Sequence, residues 1–77
     1  MNPAPHVSHT TLLRLPEVCR RLGIARSSIY RQVAADPTFP QPVRVTGGHA
    51  VAFVESEVEA FIAARIAASR AERAAAA

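Results

Sequence analysis

A chain of 77 residues has room for one small domain, which buries only about 60% of its unfolded surface, so an extensive, lid-covered enzyme site is not expected. Its nine basic residues, all arginine, outweigh six acidic ones for a net charge of +3. Residues 1–50 carry six of them (Arg14, Arg20, Arg21, Arg26, Arg31, Arg44) against Glu17 and Asp36, a local balance of +4, while Glu55, Glu57, Glu59 and Glu72 make the remainder slightly acidic; a basic front suits a polyanion met by one side, and a solvated arginine-rich surface is the plainer alternative.

Residues 1–13 hold Pro3 and Pro5 among small polar residues without a period, and read as a loosely held N-terminal arm. No basic n-region with an apolar core marks a signal peptide there, and no run approaches a membrane span, so a cytoplasmic, nucleoid-associated protein is expected. Leu15, Val18, Cys19 and Leu22 then recur at three- and four-residue intervals, the pattern of one helical face, with Pro16 in the first turn where its missing N–H costs nothing. A helix over about 16–22 is predicted, ended by Gly23. Cys19 falls on its inner face, and a single cysteine forms no internal disulfide. With His6, His9 and His49 it has no zinc-finger spacing, so no metal or other cofactor is expected.

A second helix opens near Arg26 and buries Ile29 and Val33. Ala25 stands at its N-cap, where a side-chain acceptor is usual; a phosphate at the helix start could take that role. A small residue, a turn glycine four later and an aliphatic six after that is helix-turn-helix spacing, the first helix bracing the second against a DNA major groove. With Ile29 and Val33 inward, Ser27, Ser28 and Arg31 point outward as the base-reading set. Arg31 can fork onto guanine O6 and N7, and the serines suit either base; the alternative for Arg31 is a phosphate contact alone. Arg26 at the helix entrance, Tyr30 on the flank, and Arg20, Arg21 and Arg44 are candidate phosphate contacts, Tyr30 with an equal case for a packing role.

Asp36-Pro37 and Phe39-Pro40-Gln41-Pro42 stop the second helix, with Phe39 as a plug over the core. Val43-Arg44-Val45 and Val51-Ala52-Phe53 alternate around Thr46-Gly47-Gly48-His49, predicting a β-hairpin that packs on the helices as a wing. Ser56-Glu57-Val58-Glu59 reads as a capping box opening a last helix, whose inner stripe is Val58, Phe61, Ile62 and Ile66. The domain is expected over 14–69, with an Ala-rich tail, 70–77, that frays. The fold class is thus mainly α with a small β-hairpin, a winged helix-turn-helix.

Taken in order, Leu15-Pro16-Glu17-Val18, Gly23-Ile24, Ser28-Ile29-Tyr30-Arg31, Phe39-Pro40-Gln41-Pro42-Val43 and Glu55-Ser56-Glu57-Val58 resemble the AlpA-like family of phage-type regulators, relatives of excisionases and of MerR DNA-binding heads. The resemblance covers Leu13 to about Arg65. It implies a second helix in the major groove and a hairpin tip near the backbone or minor groove. Members usually have a polar cap at the position of Ala25, an arginine at that of His49 and often Trp at that of Phe53, so wing contact is expected to be weaker or pH-dependent here. The implied function is a sequence-specific, double-stranded DNA-binding transcription regulator borne by a prophage or mobile element. The alternatives are an excisionase-like architectural factor and a protein-interaction adaptor docking an acidic partner. Beyond DNA, an integrase or RNA polymerase is the expected protein partner. No nucleophile, base and orienting group can be assembled, so no enzyme is expected. The chain should be monomeric or weakly self-associating, and cooperative on DNA.

Overall fold

The computed structural model describes residues 10–76; His6, His9 and most of the N-terminal arm lie outside them, as does Ala77. The order is β1 (Leu12–Leu13), α1 (Leu15–Leu22), α2 (Arg26–Ala35), β2 (Val43–Arg44), β3 (Val51–Val54) and α3 (Glu55–Ala76). Three helices and a small antiparallel sheet make a mainly helical, winged-helix architecture.

The sheet runs β1-β3-β2. The hairpin is as expected, with Val43 opposite Ala52, Arg44 opposite Val51, and Val45 N–H donating to the Ala50 carbonyl at 2.9 Å. Its four-residue tip needs no left-handed backbone, since Gly23 alone has a positive φ among the described residues. β1 was not anticipated. Leu12 pairs with Val54 and Leu13 with Phe53, and Thr11 accepts the Glu55 N–H at 2.7 Å, so part of the stretch read as a loose arm is sewn to the sheet. Two residues are too few to show alternation, and their partner lies some forty positions away.

The core draws one or two side chains from nearly every element: Leu13, Val18, Ile29, Phe39, Ala52, Phe53 and Val58 are buried, with Leu15, Cys19, Leu22, Val33, Phe61 and Ile62 packed around them. Phe39 does plug it, its ring meeting Phe61 edge-on at 4.9 Å. Ala52 and Phe53 are consecutive in a strand and both buried, so β3 is covered on both faces at that point. β2 contributes nothing to the core; Val43 and Val45 remain exposed and the wing overhangs.

Gly23, at φ 71°, closes α1 in the left-handed conformation, and the Cys19 carbonyl accepts both its N–H, at 2.7 Å, and that of Ile24, at 3.3 Å. Only three residues separate α1 from α2. Asp36 then organises the exit from α2: Thr38 donates its N–H and its hydroxyl to one Asp36 carboxylate oxygen, at 2.9 and 2.6 Å. Those bonds, with Arg65 nearby, hold the Asp36 carboxyl below its ordinary value.

α3 departs from expectation at both ends. It begins at Glu55, directly from β3, so Ser56 lies inside the first turn and the capping box is not made among the described residues; Glu59 turns instead to Arg21. At the far end the helix continues through the stretch expected to fray, to Ala76. Ile66, assigned to the inner stripe, is 45% exposed because the stripe outlives the domain it packs on.

Candidate nucleic-acid interface

α2 buries Ile29 and rests Val33 on the core, which turns its opposite face outward. Ser27 and Arg31 are exposed on that face and Ser28 is half-buried at its edge. The helix carries no acidic residue in its first turn, and Ala25 gives it no side-chain cap. Its amino end therefore presents uncapped N–H groups and the positive end of the helix dipole.

The two flanks of this face differ. On one, Ser28, Arg31 and Gln32 share a recess with Phe61 and Arg65 of α3. On the other, Arg26 and Tyr30 share a recess with Arg14, Pro16 and His49, which brings α2, the start of α1 and the hairpin tip together. Tyr30 is 56% exposed, so its ring is no core element. At the hairpin tip Thr46 Oγ1 accepts the Gly48 N–H at 3.2 Å, and Arg44 Nη1 reaches the Gly48 carbonyl at 3.5 Å, which draws that guanidinium toward the loop. Gly47 has open space where a Cβ would stand, so neither close packing nor backbone conformation explains glycine there.

The arginines fall into two groups. Arg20 and Arg21 are tied to carboxylates. Arg20 Nε donates to Glu17 at 2.9 Å, and a second guanidinium nitrogen also meets that carboxylate. Arg21 donates through Nε to Glu17 at 2.8 Å, and through Nη1 to Glu55 at 2.9 Å and Glu59 at 2.8 Å. Three carboxylates push its guanidinium above its ordinary value, and the two arginines hold the Glu17 carboxyl down at about 2. Arg21, a candidate phosphate contact from the sequence, clasps α1 to the first turns of α3 through these carboxylates. Arg20 keeps one carboxylate partner and a 73% exposed side chain. Arg14, Arg26, Arg31 and Arg44 take part in no ion pair among the described residues.

Arg14, Gln32 and Arg65 also border the outward face of α2, outside the set expected from the sequence. Gln32 was within reach, one helical turn from Ser28. Arg14 and Arg65 come from other elements, and only the packing brings them beside α2. No three His, Cys, Asp or Glu residues cluster as a metal set among the described residues. No helix there is long and apolar enough to cross a membrane.

Residues 11–66 match the family described as prophage CP4-57 regulatory protein (AlpA). The chain is also similar to "Uncharacterized protein ORF88" of Enterobacteria phage P4, at 42% identity over 65 residues, or 84% of this chain and 72% of that protein. No solved structure matches. The matched span runs from the residue before β1, across the helix-turn-helix and the wing, to the point where α3 leaves the core, and on that match the chain belongs to the AlpA family of phage regulatory proteins.

Proposed function

We propose that this chain regulates transcription by binding specific duplex DNA near a promoter, with α2 in the major groove and the hairpin as its wing. One observation carries the reading: the outward face of α2 is open, bears Arg26 and Arg31 free of ion pairs, and meets the wing on one flank. Ser27, Ser28 and Arg31 read bases; Arg26, Tyr30, Arg44 and Arg20 hold phosphates; Thr46, Gly47, Gly48 and His49 approach the backbone. The protein works without catalysis, and an RNA polymerase or an integrase is its protein partner on DNA. A relative in a phage gives the excisionase-like role second place, because the same fold bound at repeated sites would serve excision.

Selection of duplexes from a random pool, followed by titration of variants, tests this. Arg31→Ala is expected to lower affinity and relax the preference at one or two base pairs, at about 1–3 kcal/mol of discrimination. A uniform loss with an unchanged preference would reduce Arg31 to a phosphate contact.

A further inference from the structure

Two helix starts and the tip of the wing open onto one recess. Arg14 precedes α1, Arg26 opens α2, His49 ends the hairpin loop, and all three line it with Tyr30. No carboxylate lines it. In the last turn of α1, by contrast, Arg20 and Arg21 are both paired with glutamates. Neither helix start is closed by its own side chain: Arg14 and Ala25 are the N-cap residues of α1 and α2, and neither makes a side-chain cap hydrogen bond. Arg14 serves α1 only through its carbonyl, which accepts the Glu17 and Val18 N–H groups at 3.0 and 3.1 Å, and its guanidinium is left over. Gathered cationic side chains beside the positive ends of two helices repel one another, and an anion of matching size removes the conflict.

We propose that this recess holds one phosphodiester of the DNA backbone, gripped by the guanidinium groups of Arg14 and Arg26, with the Tyr30 hydroxyl and the His49 ring at its rim. The inference rests on the DNA-binding reading and adds two things to it. Arg14 becomes a phosphate-binding residue. The recognition helix, the start of α1 and the wing meet at one shared phosphate, which sets the angle of the wing to the groove.

The experiment is anisotropy titration of a labelled duplex selected by the wild type, and of a scrambled duplex, across a salt series. The proteins are wild type, Arg14→Ala, Arg14→Lys, Arg26→Ala and the double alanine variant. Arg14→Ala should weaken both duplexes about tenfold and lower the slope of log affinity against log salt by about one, while Arg14→Lys keeps most of the binding. The double variant should lose less than the product of the single losses, because both arginines serve one phosphate. Thermal melts matching wild type exclude unfolding, since Arg14 lends α1 only its backbone. Wild-type affinity in Arg14→Ala, or multiplicative losses in the double variant, would overturn the shared phosphate while an Arg31-dependent preference left the DNA reading standing. Failure of the wild type to bind any duplex overturns both.

Discussion

Nine identical side chains carry nearly all the positive charge of this protein, and their surroundings decide what each does. Arg21 reaches Glu17 on its own helix and Glu55 and Glu59 on α3, so its charge is spent inside the domain. Glu17 is the shared partner of Arg20 and Arg21, and its carboxyl is depressed from 4.5 to about 2. A carboxyl held lower in the folded state than in the unfolded chain stabilises the fold fully above the unfolded value, and that contribution is lost as pH falls through the folded one. Thermal stability should therefore drop between about pH 4.5 and 2, and Glu17→Gln should melt lower than wild type near neutrality but with a flatter profile across that window. Parallel profiles for the two proteins would mean that the Glu17–arginine bonds add nothing to the fold. Arg21→Met belongs to the same experiment: it leaves Glu17, Glu55 and Glu59 close together without their common cation, and its melting temperature should fall further than that of Arg20→Met, which loses a single exposed pair.

Among the elements, legibility followed sequence distance. α1, α2 and the turn between them were readable because a periodic stripe, a turn glycine and a run of prolines are local signals, and Leu15, Val18, Ile29 and Phe39 pack as those signals require. β1 was not, since Leu12 and Leu13 become a strand only by pairing with Val54 and Phe53. The start of α3 misled for a related reason: Ser56 and Glu59 have capping-box spacing, but β3 runs straight into the helix and Arg21 claims Glu59. At the candidate site, the outward set of α2 follows from the helical wheel, whereas the placement of Arg14 beside His49, and of Arg65 beside Arg31, is tertiary. The wing is the element whose contribution to DNA binding should depend most on conditions. His49 is exposed at its tip, beside Arg14, Arg26 and Tyr30. A bound phosphate favours a charged imidazole over a neutral one, so protonation and DNA binding should be coupled. In a background with His6 and His9 replaced by alanine, DNA affinity should rise roughly two- to fivefold from pH 8 to pH 6, the size of one exposed charge pair. His49→Arg should bind more tightly at pH 8 and lose most of the dependence, and His49→Ala should lose it without the gain. Equal affinities for the parent and His49→Ala at both pH values would leave the hairpin as a brace for α2.

As a whole molecule, the protein has a winged-helix head and a helix longer than its core. One winged helix spans a short stretch of duplex, and a short site recurs too often in a genome to be found by affinity for a single head. The core consumes Val58, Phe61 and Ile62 at the root of α3, which leaves Ile66 and an arginine- and alanine-rich outer half uncovered. One exposed isoleucine among alanines and charged residues buries far less apolar surface than a stable dimer needs, since standard interfaces remove about 800 Å² per partner. The free chain should therefore run as a monomer in light scattering at micromolar concentration. Specificity should come from neighbouring sites: on a duplex carrying two copies of the selected sequence in helical phase, the second molecule should bind about tenfold or more tighter than the first, and inserting half a helical turn between the copies should abolish the gain. Chains ending after Ser69 should keep their melting temperature and single-site affinity, because residues 70–76 are all exposed, and any loss of cooperativity in them would place the contact between neighbours on the outer half of α3. A tight dimer in the absence of DNA would overturn this account, and its dissociation by Ile66→Arg would identify α3 as the seam.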